Sequence, residues 1–273
     1  MNTDIIIAIS TLGILGLIFG VVLSIASKIF AVEVDPKVEA IRKVLPGANC
    51  GACGFPGCDG LASAIAEGRA DNNACIVGGA EVAEKVSKIT GGNASGIEKQ
   101  VAVVYCQGDC DLAKKRFIYR GIEDCRAEMI LLGGSKACTF GCLGCGTCVE
   151  ACKFDAINVI GGVAVVNKEK CVACGKCVEV CPKGIIDIAP YKMNYHVKCK
   201  NTEKGKDVKN VCEIGCIGCQ LCVNNCPKQT ITFENNLAKI DYTNCINCGL
   251  CSKKCPTHAI PLQEKEKIEK IAN

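Results

Sequence analysis

The polarity pattern changes abruptly after residue 28. Ile5 to Ser27 is an unbroken run of 23 uncharged residues, held between Asp4 and Lys28. A helix rising about 1.5 Å per residue over that length crosses the hydrocarbon core of a bilayer, so the pattern predicts one transmembrane helix. A secretory signal is the competing reading, but the leading segment is not basic, the apolar run is long, and no clear small-x-small cleavage site precedes the mature-looking part. Asp4 before the span and Lys28 after it place the remainder of the chain on the cytoplasmic side by the positive-inside rule. Gly16-x-x-x-Gly20, with Gly13 nearby, would let a second helix approach closely, although glycine is common in membrane helices for other reasons.

Beyond the span the periodic stretches are short. Helices are predicted over Val38–Val44, Gly60–Gly68 and Ala80–Ile89; Pro46-Gly47 stops the first, and Gly91-Gly92-Asn93 stops the last. Gln100–Tyr105 has the alternation and β-branching of a strand. Two hairpins follow: Ala156–Ile160 with Val163–Asn167 around Gly161-Gly162, and Thr230–Glu234 with Leu237–Asp241 around Asn235-Asn236. This is an α+β pattern. It divides into an anchor (1–29), a small helical domain (30–90), a connecting segment (91–138), two hairpin-bearing lobes (139–192 and 193–262) and a C-terminal tail (263–273).

Cysteine changes the picture. The chain has 26 cysteines in 273 residues, 4% aromatic residues and no tryptophan. Lobes this small and this poor in aromatics do not hold together by apolar burial alone. Metal ligation would supply the missing stability, and the apo-chain is expected to be largely unfolded. Secreted disulfide scaffolds are short chains without a long apolar segment. Here the thiols crowd into C-x-x-C-x-x-C-x-x-x-C runs, which suit an iron–sulfur cube. The formal charge of +4 is then misleading. Each oxidised [4Fe–4S] core with four thiolates carries −2, so five would bring the chain to about −6. With its lysines scattered among Glu and Asp, the chain lacks the concentrated basic patch that a nucleic acid requires.

The cysteines repeat with a shift of 74 residues. Cys142, Cys145, Cys148, Cys152, Cys171, Cys174, Cys177 and Cys181 map onto Cys216, Cys219, Cys222, Cys226, Cys245, Cys248, Cys251 and Cys255. Cys125 and Cys138 map equally onto Cys199 and Cys212. Three thiolates spaced C-x-x-C-x-x-C wrap one cube, while the fourth, three residues on, reaches the other cube, as in bacterial two-cluster ferredoxins. The expected sets are Cys142, Cys145, Cys148 with Cys181; Cys171, Cys174, Cys177 with Cys152; Cys216, Cys219, Cys222 with Cys255; and Cys245, Cys248, Cys251 with Cys226. Pro182, Pro227 and Pro256 follow three of the fourth cysteines as the pattern asks; Lys153 departs from it without costing a ligand.

Cys50, Cys53, Cys58 and Cys75 form a separate set, with Gly47, Gly51, Gly54 and Gly57 giving the backbone room to curl around a cube. Zinc also takes four thiolates, and is the competing reading here. At least five clusters are therefore expected. Cys106, Cys110, Cys125 and Cys138 could assemble a sixth, leaving Cys199 and Cys212 over; other groupings, and idle buried thiols, stay open. The C-x-x-x-C-x-x-C spacings at Cys138-Cys142-Cys145 and Cys212-Cys216-Cys219 overlap complete ferredoxin runs, so they do not mark a radical enzyme. No dinucleotide or Walker loop is present, and His196 and His258 read as packed or solvated side chains.

Leu45-Pro-Gly-Ala-Asn-Cys-Gly-Ala-Cys-Gly-Phe-Pro-Gly-Cys58, behind a single span and ahead of tandem ferredoxin runs, resembles the B subunits of Rnf complexes, the ion-translocating ferredoxin:NAD+ oxidoreductases. The resemblance extends over essentially the whole chain, although the shorter family pattern has one ferredoxin lobe where this chain has two. It implies a single-pass protein of the bacterial cytoplasmic membrane with its cluster domains on the cytoplasmic side. It also implies a role: electrons arrive from reduced soluble ferredoxin and leave towards partner subunits. Those partners are a flavin- and NAD-binding subunit and integral membrane subunits that couple the redox span to Na+ or H+ transport. The rivals are a polyferredoxin of another membrane redox complex, such as a hydrogenase, and a zinc-stabilised scaffold without redox work.

Overall fold

The computed structural model describes residues 2–30, 35–92 and 98–261; the expected tail 263–273 and Asn93 of the glycine turn lie outside them. Helix α1 (Asn2–Ile29) contains the whole apolar run. Its stretch Ile9–Ile29 has a mean hydropathy of 2.4, long and apolar enough to cross a membrane, and its large side chains, such as Leu12 and Leu17, are exposed.

Three helices build the small domain: α2 (Pro36–Val44), α3 (Gly57–Ala66) and α4 (Gly79–Thr90). Asp35 caps α2 by accepting the Lys37 N–H at 2.8 Å, Pro36 occupies the first turn, where its missing N–H costs nothing, and Leu45-Pro46 ends it. Gly91, at φ 80°, closes α4 in the left-handed conformation that glycine adopts without strain. Ile41, Leu61 and Val86, one from each helix, are fully buried against one another. Burying each contributes about 1.5–3 kcal/mol, so Leu61→Ala would cost roughly 2–5 kcal/mol.

Strand β1 (Gln100–Val104) opens the next unit, followed by α5 (Cys125–Ile130), α6 (Thr147–Glu150), the hairpin β2 (Ile157–Ile160) and β3 (Val163–Val166), α7 (Lys176–Val180) and β4 (Ile186–Pro190). Then come α8 (Gly205–Val211), α9 (Leu221–Asn224), the hairpin β5 (Ile231–Glu234) and β6 (Leu237–Ile240), and α10 (Leu250–Lys253). Both hairpins turn as their sequences require: Gly161 and Gly162 have φ 57° and 74°, Asn235 and Asn236 47° and 61°, the paired positive values of a two-residue turn.

Several features escape a reading of periodicity, helices α5 and α8 among them. Strand β4 was not expected, yet it pairs antiparallel with β1 in the register Gln100↔Pro190 to Val104↔Ile186. The β1 end of the connecting segment is thus part of the first lobe's core, where Val101, Val103, Ile185 and Ala189 are buried with Ile157 and Val163. Residues 111–124 join no named helix or strand, and Ile118 and Ile122 in them are largely exposed.

Candidate metal centres

The fold brings members of each of the five expected four-cysteine sets near one another. In the helical domain Cys58 and Cys75 are buried. Burial pushes the Cys75 thiol up from its ordinary value, and the nearby Cys58, Cys53 and Cys50 push it the same way. The Gly78 N–H donates to Cys75 Sγ at 3.3 Å, and Asn49 Oδ1 holds the Cys58 N–H at 2.8 Å, pinning the loop. In the first lobe Cys148 has Cys142 and Cys181 as neighbours, and Cys177 has Cys171, Cys174 and Cys152. Backbone N–H groups point at these sulfurs: Ala102 to Cys171 at 3.4 Å, Ala156 to Cys152 at 3.4 Å and Ala164 to Cys142 at 3.5 Å. Cys145 Sγ lies 2.8 Å from Glu128 Oε2, beside Cys125.

The second lobe shows its two sets as cavities. Cys216, Cys219, Cys222 and Cys255 line one of about 20 Å³. Cys226, Cys245, Cys248 and Cys251 line another of the same size, about 20 Å³. The short helices α6, α7, α9 and α10 carry Cys148, Cys177, Cys222 and Cys251, each behind a residue of positive φ: Gly146, Gly175, Gln220 and Gly249.

Soft thiolate donors in fours, with N–H groups aimed at sulfur, fit iron–sulfur cubes. Burial pushes the thiols of Cys142, Cys222 and Cys251 up to about 11, and those of Cys148 and Cys177 up to about 12. Without a cluster these groups are neutral, and loading releases their protons.

The six remaining cysteines are distributed differently from the grouping Cys106, Cys110, Cys125 and Cys138. Cys106 and Cys138 do come together, but with Cys199 and Cys212, around a cavity of about 20 Å³. Cys110 is exposed, with its thiol against the hairpin turn at Gly162. Cys125 is held beside Cys145 and Cys148 of the first lobe, its N–H donating to Thr147 Oγ1 at 2.8 Å. Arithmetic on spacing could not choose among these groupings, because the four cavity thiols come from segments as much as 106 residues apart. The one available signal was the repeat, which puts Cys138 and Cys212 in equivalent places. His196 is fully buried with Nδ1 2.6 Å from the Tyr242 hydroxyl, a packed side chain at the seam between the lobes.

Residues 45–77 match a family described as a putative Fe-S cluster, and residues 141–185 and 215–259 each match the 4Fe-4S dicluster domain. The chain is 51% identical to the B subunit of the Na+-translocating ferredoxin:NAD+ oxidoreductase complex of Acetobacterium woodii, over 89% of this chain and 73% of that protein. It is 49% identical to the B subunit of the proton-translocating ferredoxin:NAD+ oxidoreductase complex of Clostridium ljungdahlii, over 88% and 85%. To the B subunit of the ion-translocating oxidoreductase complex of Methanosarcina acetivorans it is 43% identical, over 88% and 92%. Identity at that level across most of both partners, with cluster families matched on the helical domain and both lobes, means that the chain belongs to the family of Rnf complex B subunits.

Proposed function

We propose that this chain is the electron-transfer subunit of an ion-translocating ferredoxin:NAD+ oxidoreductase, taking electrons from reduced soluble ferredoxin and delivering them to membrane partner subunits. Helix α1 is its single-pass anchor in lipid, with the helical domain and two ferredoxin lobes on the cytoplasmic side. The flavin- and NAD-binding chemistry belongs to other subunits. A bound [4Fe–4S] cube supplies reversible one-electron chemistry at low potential. The chain's own residues supply the rest: thiolates as ligands, N–H groups such as those of Ala102 and Gly78 that stabilise charge on sulfur, and apolar cover that limits water.

The observation that carries this reading is contiguity. Cys50 of the helical domain sits within electrostatic reach of Cys174 in the first lobe, whose two sets in turn meet where Cys148 approaches Cys177. A zinc scaffold has no need for four-thiolate sets stacked side by side.

Two measurements test the proposal. Cys50→Ala should remove one cluster's iron and sulfide, about four of each, and abolish ferredoxin-driven NAD+ reduction by the assembled complex; full turnover would take this set off the path. Deleting residues 2–28 should release a brown protein into the soluble fraction. Retention in the membrane by the truncated chain alone would refute the anchor.

A further inference from the structure

Four cysteines that no matched family segment contains line a single cavity. Cys106 follows β1, Cys138 precedes the first lobe's ligands, Cys199 opens the second lobe and Cys212 ends α8. We infer that Cys106, Cys138, Cys199 and Cys212 hold a sixth [4Fe–4S] cluster, seated at the seam between the two ferredoxin lobes.

The inference rests on the proposed ligand sets of the lobes, because they calibrate it. The cavities lined by Cys216, Cys219, Cys222 and Cys255 and by Cys226, Cys245, Cys248 and Cys251 measure about 20 Å³ each; the seam cavity measures about 20 Å³ as well and also presents four thiols. The seam is therefore built like the two four-thiol sets of the second lobe, whose segment matches the 4Fe-4S dicluster domain.

The donors to these sulfurs occupy equivalent positions of the sequence repeat, although Cys106 itself lies outside it, since the repeat pairs Cys199 with Cys125. The Cys142 N–H donates to Cys106 Sγ at 3.4 Å, and the N–H of its equivalent, Cys216, donates to Cys199 Sγ. The Phe140 N–H serves Cys138 Sγ, and the N–H of its equivalent, Ile214, serves Cys212 Sγ. Two segments with matching donors thus meet at the cavity, each offering two thiols with a backbone donor apiece. Donors aimed at sulfur are what a thiolate cluster uses to disperse its charge. The buried side chain of Asn201 adds another, with Nδ2 3.5 Å from Cys138 Sγ.

The charge balance points the same way. Lys136 lines the cavity, is only 2% exposed, and donates to the Gly108 and Gly162 carbonyls at 2.7 and 2.9 Å. A buried ammonium calls for negative charge nearby. Four thiolates around an oxidised cube bring a net −2 to that spot, adding to Glu128, which lies within electrostatic reach.

The location gives the site a purpose. Cys106 touches the first lobe's leading ligand, Cys142, while Cys199 touches the second lobe's leading ligand, Cys216. A cube here turns two separate cluster pairs into one continuous series.

Native mass spectrometry of the anaerobically purified full-length chain in detergent tests the assignment by counting Fe4S4 mass increments. The wild type should carry six, Cys138→Ala and Cys212→Ala five each, and the double variant Cys110→Ala/Cys125→Ala six. Five increments in the wild type would overturn the sixth site while leaving the ligand sets of the lobes standing; none at all would overturn both. Five in the Cys110→Ala/Cys125→Ala variant would overturn the ligand assignment. If the cavity variants fail to fold, the other two samples still decide: six in both leaves only these four thiols to hold the extra cube.

Discussion

The two lobes share a 74-residue register and every ligand spacing, yet they shield their thiols to different depths. In the first, Cys142, Cys148, Cys171 and Cys177 are all buried; in the second, of eight equivalent cysteines only Cys222 is, and Cys219 and Cys248 are exposed. The difference traces to β1. Its five-residue ladder with β4 lays Val101 and Val103 over the first lobe and aims the Ala102 N–H at Cys171. Against the second lobe the comparable cover is thin: the Lys198 N–H meets the Ala259 carbonyl at 2.8 Å, and Val197 packs beside Ile260. The motif selects the candidate thiols. The surroundings select how much water reaches them, and solvent access and N–H···S bonding are what tune potential and lability within one cluster type.

That contrast can be broken in several ways. The largest effect expected is under graded exposure to oxygen, where the second lobe's clusters should be lost first. Alkylation of the released thiols, mapped by peptide, should label Cys219 and Cys248 before Cys142 or Cys177; the reverse order would show that burial does not govern lability.

A smaller effect concerns the seam. Burial, with Lys168 and Lys198 nearby, holds the His196 imidazole down to about 4, well below its ordinary value of 6.5. Between those values the unfolded chain binds a proton that the folded chain refuses, so stability is present above pH 6.5 and is lost as pH falls towards 4, by at most about 3 kcal/mol. Anaerobic thermal unfolding of the wild type should show that loss, and His196→Gln should flatten it. An unchanged slope in the variant would assign the acid sensitivity elsewhere.

Smaller again is Ala102→Pro. The Ala102 N–H faces Cys171 rather than β4, so proline there removes the N–H···S bond and spares the ladder. Losing roughly 1 kcal/mol of stabilisation of the reduced state lowers one potential by on the order of 40 mV, readable by EPR-monitored redox titration. No shift in any centre would mean that this donor does not tune the first lobe.

The smallest effect distinguishes the lobes' turns. Three of the four short cluster helices begin after a glycine of positive φ, but α9 begins after Gln220 at φ 59°. Gln220→Gly should relieve strain and stabilise the second lobe by about 0.5–1 kcal/mol, whereas Gly146→Gln should cost the first lobe a similar amount or more. Denaturant midpoints of the two variants, moving in opposite directions, are the check.

Much of this molecule is legible in its residues. The apolar run ending at Lys28, the two hairpins with their Gly-Gly and Asn-Asn turns, and the helices of the small domain are local features, decided by spacing and by residues that tolerate positive φ. The ligand sets expected of the lobes are local too, apart from the crossing fourth cysteine, because each triplet spans only seven residues. Strand β4 was hidden because Ile186–Pro190 is short and its partner lies 86 residues earlier in the ladder, so no window contains both.

Chemistry confined to a few consecutive residues was therefore determined by the sequence alone: the long apolar helix, the thiol triplets and membership in a cluster-bearing class. Only the tertiary structure decided which of the unassigned thiols share a cavity and which lobe is sheltered. Both depend on contacts between distant segments, Cys106 with Cys212 and β1 with β4. Closing such loops costs conformational entropy that packing and ligation must offset, and the linear order of residues does not show which closures repay that cost.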